Sequence, residues 1–239
     1  MCVLALAHRA HPRWRLVAIA NRDEFHGRAA APLAEWDEVE ILAGRDLVGG
    51  GTWLGVAPGR FAALTNLRSD VPPDPENLSR GGLVTDLLTA AAPDTIPLDR
   101  YNPFSLIAVA GDHPWLLTNR PEPRRERLAP GLHGLTNGPF ERPWPKLAGL
   151  TRALREWLEV GAGTLEPLFA ALRDERVPAG AYDEATALPP FIRNPAYGTR
   201  CSTVVAIDAD GAGRIVERRF SSDGLDAGET ALDFRWPEP

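Results

Sequence analysis

The sequence predicts an α+β protein in which antiparallel sheet, built from hairpins, is covered by helices. Three observations lead there. Apolar runs of strand length come in pairs joined by short polar turns. Amphipathic helical stripes gather in the middle of the chain instead of separating every pair of strands. Strict strand–helix–strand alternation is therefore missing, which argues against a doubly wound sheet or a parallel barrel.

The elements follow in order. Residues 3–7 and 16–20 are apolar and flank a polar turn at 8–13, a first hairpin. Residues 52–57 and 61–65 flank Pro58-Gly59-Arg60, a second. Residues 79–92 read as a helix, with Ser79 as N-cap and Leu83, Leu87 and Leu88 on one face. Strands are expected at 104–110 and 114–118. Helices are expected at 144–159, where Leu147, Leu150, Leu154, Trp157 and Leu158 recur at intervals of three and four, and at 164–173. The Pro- and Ala-rich stretch 177–198 reads as a long surface loop. Residues 203–207 and 215–220 form a third hairpin across Asp208-Ala209-Asp210-Gly211, and 231–236 adds an edge strand. No internal repeat or linker divides the chain, so residues 1–239 are expected to form a single domain.

Composition narrows the function. The 239 residues are 44% hydrophobic, enough for a sizeable core, and carry a net charge of −6. That balance argues against nucleic-acid binding, which leaves a basic footprint. The densest basic cluster, 124–127, follows a turn and is interrupted by Glu126, so a solvated loop is expected there. No apolar run approaches the ~20 residues of a membrane span, and the N-terminus lacks a signal-peptide pattern. Two cysteines, Cys2 and Cys201, make no disulfide framework, and a reducing, cytoplasmic location is expected.

The residue that carries most chemistry is Cys2. Removal of Met1 would place thiol and α-amine on one carbon, with ordinary pKa values near ~8.5 and ~7.7–8.0. The amine can then accept the thiol's proton, so one residue supplies nucleophile and base. Asn21-Arg22-Asp23-Glu24 ends the strand expected to pair with that of Cys2. An arginine there favours the thiolate, and an aspartate can hold the amine by a charge-assisted hydrogen bond. Three copies of Leu-Thr-Asn end in Asn66, Asn119 and Asn137, and an asparagine amide can donate to a developing oxyanion. Arg200, in Tyr197-Gly198-Thr199-Arg200, stands at a strand mouth and reads equally as a substrate-binding or a surface arginine. Cys201 reads as a buried small hydrophobe.

Other signals lead nowhere. Gly49-Gly50-Gly51-Thr52 lacks the Lys-Ser/Thr ending of a phosphate loop and runs into a strand. The five histidines show no metal-ligand spacing, so neither metal nor resident cofactor is expected.

The blocks Met1-Cys2, Ala20-Asn21-Arg22-Asp23-Glu24-Phe25, Gly50-Gly51-Thr52-Trp53-Leu54-Gly55, Ala63-Leu64-Thr65-Asn66, Gly134-Leu135-Thr136-Asn137 and Tyr197-Gly198-Thr199-Arg200 together resemble the NRDE family. Its eukaryotic members are called transport and Golgi organisation protein 2. That family in turn looks like the N-terminal-nucleophile hydrolases, above all the cysteine branch of penicillin V acylase and bile salt hydrolase. The resemblance implies a four-layer αββα sandwich of two antiparallel sheets flanked by helices. It implies Cys2 as nucleophile, Asp23 on the α-amine, Asn66 and Asn137 around oxyanion and substrate, and Arg200 as a late active-site arginine. Asn21, Glu24, Trp53 and Thr65 are expected to bind substrate. The acylase branch carries its early arginine three positions before the aspartate, where this chain has Ala20. Arg22 is the candidate replacement, but neighbouring strand residues point to opposite faces, so it inherits the role only where a bulge re-aims it. The implied activity is hydrolysis of a linear amide C–N bond in a small acyl substrate. The alternative is a non-catalytic haem or lipid/acyl-CoA carrier using the same pocket, since family members have been linked to haem trafficking and lipid handling.

Overall fold

A computed structural model describes residues 2–111, 113–161 and 163–237. Among these, two antiparallel sheets stack face to face. The first has the order β10-β1-β2-β11-β12-β13 and the second runs β3 to β9 in sequence order. In the first sheet, β1 (Val3–His11) pairs with β2 (Trp14–Phe25), which pairs in turn with β11 (Tyr197–Asp208). β12 (Ala212–Phe220) and β13 (Asp226–Arg235) continue it on one side, and β10 (Gly131–Leu135) closes the other. The second sheet is a meander: β3 (Ala30–Glu35), β4 (Leu42–Asp46), β5 (Leu54–Ala57), β6 (Arg60–Asn66), β7 (Phe104–Ala110), β8 (His113–Thr118) and β9 (Arg124–Arg127).

Period-two alternation decides which side chains meet. Leu4, Leu6, Leu16 and Ala18 face inward, onto Leu54, Val56, Phe61 and Ile107 of the other sheet. Their neighbours Val3, Ala5, Val17 and Ile19 face outward. There they meet the apolar stripes of α2 (Lys146–Val160) and α3 (Glu166–Leu172). On the far side, α1 (Arg80–Thr89) packs Leu83, Val84, Leu87 and Leu88 against Ala62, Phe104 and Leu106. Ser79 caps α1 by accepting the Gly82 amide, and Arg60 donates to the carbonyl of Leu87 in its last turn and to that of Ala91 beyond its end. No helix among the described residues is long and apolar enough to cross a membrane.

The sheets are also tied by polar contacts. The buried Glu217 of β12 accepts the Leu33 amide of β3 at 2.9 Å, and Thr65 of β6 donates to the Thr136 carbonyl at 2.9 Å. Cys201 lies buried opposite Arg22, with the Glu217 carboxylate nearby. Burial and that carboxylate push the thiol well above its ordinary pKa, offset in part by Arg22. Neither cysteine is in a disulfide.

Four strands differ from the sequence expectation. β3 contains Pro32, which sits on an edge strand where no inner ladder bond is lost. Residues 124–127 form the charged edge strand β9 where a loop was expected, and charge on an exposed edge blocks further pairing. β4 and β10 carry glycines that dilute the apolar alternation. In β10, any Cβ at Gly134 would collide with Leu147 of α2 and with the Leu4 carbonyl.

Asn119, the third Leu-Thr-Asn copy, is fully buried away from Cys2. It accepts the Phe104 amide and donates to the carbonyls of Leu98 and Tyr101. Asn119→Ala strands three buried backbone groups and is expected to cost about 3 kcal/mol in urea unfolding. The alkylation rate of Cys2 should stay unchanged.

Candidate active site

Even-numbered residues of β1 and β2 face the space between the sheets, so Cys2 follows Leu4 onto that face and Arg22 follows Ala20. The β1–β2 register pairs Val3 with Asn21, and one step further sets Cys2 opposite Arg22. At this end the apolar core gives way to a cavity of about 680 Å³. Cys2, Arg22, Asp23 and Glu24 border it from the first sheet, and Asp46, Trp53, Leu64 and Asn66 from the second. The stretches 73–75 and 77–81 close one side.

Arg22 is nearly fully buried. Its guanidinium lies 4.2 Å over the Trp53 ring and 3.7 Å from Asp46. Asp46 also accepts Arg28 Nε at 2.8 Å and the amides of Val48 and Gly49 at 3.0 Å each. Burial pushes its carboxyl upward, but the bonds from Gly49, Arg28 and Val48 outweigh it and hold it below the ordinary value. The triple glycine serves this wall. Gly50 and Gly51 have positive φ, and a Cβ on Gly51 would overlap the backbone of Gly81 at the start of α1. Arg80, on the same wall, donates to the Pro103 carbonyl. Burial, then the nearby Arg28, lowers its pKa, opposed by Glu24 and Cys2.

Asp23 points to the other side of β2, as alternation requires. Its carboxylate accepts the Thr199 hydroxyl at 2.7 Å and lies 3.4 Å from Lys146 Nζ, with both charged side chains fully buried. Tyr197 donates its hydroxyl to the Asp23 carbonyl. No bulge in β2 re-aims Arg22. The extra residue is Arg200 of β11, between the pairs Thr199–Asp23 and Cys201–Arg22. Ala20 and Arg22 are two residues apart and share a face, so Arg22 reaches the Cys2 side without re-aiming.

The remaining sequence candidates separate. Glu24 borders the cavity, accepts the Phe25 amide and lies 3.9 Å from Arg28. Asn66 borders it with its carboxamide free of intramolecular bonds among the described residues, while its carbonyl accepts Asn137 Nδ2 at 2.6 Å. Asn137 itself borders a second cavity of about 550 Å³ with Arg68, Asp70 and Trp144, and its Oδ1 is buried without a partner. Asn21 was expected to bind substrate. It instead sits on the helix face of β2, donating to the carbonyls of Leu172 and Pro190 and accepting Ser202. Thr65 is likewise taken up by the Thr136 carbonyl. Arg200 lies outside the cavity wall and donates to the carbonyls of Phe25, His26 and Arg28. Met1, whose removal the chemistry of Cys2 assumes, lies outside the described residues.

Sequence reasoning passed over Arg28, Asp46, Arg80 and Lys146. For Lys146 a signal existed: among 26 Lys and Arg residues it is the single lysine.

Residues 1–222 match the family described as Transport and Golgi organisation 2. The chain belongs to that family. Among its Transport and Golgi organisation 2 relatives, the human protein named Transport and Golgi organization protein 2 homolog is 33% identical, over 96% of this chain and 97% of that one. The bovine protein of the same name is 33% identical over 98% and 99%. The Drosophila melanogaster Transport and Golgi organization protein 2 is 25% identical over 95% and 94%. The match over residues 1–222 takes in β1 to β12 and every residue bordering the cavity in this member of the Transport and Golgi organisation 2 family.

Asp46 organises one wall through charge, which sets a pH dependence. Its depressed carboxyl contributes stability in full above the ordinary aspartate value near ~3.9, and loses it as pH falls through the folded value. Asp46→Asn is expected to cost about 2 kcal/mol at pH 7. The gap between wild type and variant should narrow as thermal melts are taken from pH 7 to pH 3.

Proposed function

We propose that this protein is a cysteine N-terminal-nucleophile hydrolase acting on a linear amide C–N bond of a small acyl substrate. The observation that carries the reading is the meeting of Cys2, Arg22, Asp23 and Asn66 around one cavity, with the amino end of β1 running toward Asp23. Two stacked sheets with helices on both outer faces support an αββα relationship to that hydrolase class. Two free cysteines support a reducing, cytoplasmic setting.

The proposed steps balance as follows. With Met1 removed, the α-amine takes the proton of the Cys2 thiol, and the thiolate attacks the substrate carbonyl. The carbonyl π pair moves to oxygen, where the free carboxamide of Asn66 donates to it. The C–N bond breaks as the α-ammonium returns its proton to the leaving nitrogen, leaving a thioester on Cys2. The neutral amine then deprotonates water, whose oxygen attacks the thioester. The S–C bond breaks with its electron pair going to sulfur, which takes back the proton from the α-ammonium, and the carboxylic acid departs. Arg22 holds positive charge beside the sulfur and favours the thiolate.

A second reading, a carrier for a lipid or haem ligand, is supported by Val48 and Leu78, two exposed aliphatic side chains on the cavity rim. Among the described residues the lining provides no His, Met or Tyr, so Cys2 would be the haem ligand of a usual kind.

Intact-mass spectrometry after incubation with a panel of N-acyl amides and thioesters tests the first reading. The expected result is loss of Met1 and an acyl adduct on Cys2, with Cys2→Ala abolishing both adduct and turnover. A chain that retains Met1, or an adduct that survives Cys2→Ala, overturns it. Quenching of Trp53 by an acyl-CoA, unchanged in Cys2→Ala and without turnover, would favour the carrier.

A further inference from the structure

The single lysine of the chain is buried where the proposed mechanism gives it no part. Lys146 opens α2, its side chain has no solvent exposure, and its ammonium lies 3.4 Å from Asp23 Oδ2 and 6.0 Å from the Trp144 ring centre. Burying an ion pair costs several kcal/mol per ion in desolvation, and well-packed apolar residues commonly do as well or better. Stability therefore gives little reason for an ammonium at this position. The other 25 basic residues are arginines. A compact point charge on a flexible stem is what Lys provides and Arg does not.

The neighbours explain what that charge does. Continued past the Val3–Asn21 pair, the β1–β2 register runs the amino end of β1 toward Asp23. An aspartate alone beside an amine favours the ammonium form and so raises the amine's pKa. A base that must accept the thiol's proton near neutral pH is disabled by that. Lys146 offsets the Asp23 charge from the helix layer, while Thr199 fixes the other carboxylate oxygen. From the opposite face of β2, Arg22 adds a second positive charge, and Glu24 and Arg80 border the cavity farther out. Tyr197 approaches only the Asp23 carbonyl.

We propose that Lys146 is a positioning residue that neutralises Asp23, so that the α-amine of processed Cys2 is held in place without being kept protonated. The inference rests on the N-terminal-nucleophile reading, and it assigns Lys146 to the base rather than to substrate.

The test is NMR titration of protein labelled with ¹⁵N-cysteine, which places label at Cys2 and Cys201 alone. In the wild type the Cys2 amine should titrate below its ordinary ~7.7–8.0. In Lys146→Met the midpoint should rise by about one pH unit or more, and Lys146→Arg, which keeps the charge, should restore part of the fall. The acid limb of Cys2 acylation should move upward in parallel. A wild-type midpoint above the ordinary range overturns the proposal without any variant, which covers a Lys146→Met chain that fails to fold. An unmoved midpoint in folded Lys146→Met also overturns it. The two readings fail separately. Acylation of Cys2 with an unmoved acid limb removes Lys146 and leaves the hydrolase. A depressed, Lys146-dependent midpoint without acylation removes the hydrolase and leaves the Lys146 effect. Retained Met1, visible in the intact mass, removes both.

Discussion

The pleat of β2 is the constraint on which the rest of this site depends. β2 is paired on both sides, to β1 and to β11, so its register is pinned and its alternation cannot drift. Leu16, Ala18 and Ala20 build the space between the sheets, and the next residue on that face is Arg22. Val17 and Ile19 build the helix side, followed by Asn21 and Asp23. A slip of one residue would exchange the faces. It would turn the Asp23 carboxylate into the space between the sheets and Arg22 against the helices. The Asn-Arg-Asp-Glu block is thus the end of a buried strand whose two sides have become two different environments.

Those environments explain how two charges of opposite sign survive at the edge of a core without cancelling each other. Arg22 lies against the Trp53 ring and reaches Asp46 from a distance, a mix of cation–π and long-range attraction worth about 1–2 kcal/mol where water is excluded. Asp23 has a buried ammonium and a hydroxyl instead. The strand backbone separates the two, so each keeps its own partner. Cys2 and Arg22 both border the cavity, while the Lys146–Asp23 pair lies on the helix side of the strand.

Much of this architecture was legible in the sequence, and the failures have physical causes. Three hairpins, the Ser79 cap and all three helices could be read because their signals are local: turn residues, a cap and a 3.6-residue stripe. β3, β4, β9 and β10 were not legible. Their composition answers to tertiary demands such as the room Leu147 needs at Gly134, and to edge protection at 124–127. The site divides in the same way. Cys2, Arg22, Asp23 and Asn66 stand in recognisable blocks and meet at the cavity. Asn21 and Thr65 stand in the same blocks, yet their side chains are consumed by the carbonyls of Leu172, Pro190 and Thr136. A block of sequence records that a segment matters without recording which face of it matters. Lys146 and Asp46 lie outside the blocks, and only the uniqueness of Lys146 among the basic residues marked it.

Arg200 shows how a residue far along the chain can act on the cavity without bordering it. It is the bulged residue of β11, and its guanidinium gathers the carbonyls of Phe25, His26 and Arg28, which closes the turn after β2. That turn presents the Arg28 side chain to Asp46, and Asp46 in turn receives the amides of Val48 and Gly49. The loop so fixed runs on through Gly50 and Gly51, whose backbone meets that of Gly81 at the head of α1. A wall of the cavity is therefore assembled in sequence, from a bulge in one sheet to a helix on the far side of the other. The links as far as Gly49 are hydrogen bonds or ion pairs to backbone or carboxylate, so loss of the arginine would loosen Arg28, then Asp46, then the glycine loop. Because a bulge adds one residue without breaking the ladder beyond it, β11 can deliver Thr199 to Asp23 on the helix side. On the other side of the same bulge, Cys201 faces Arg22 between the sheets.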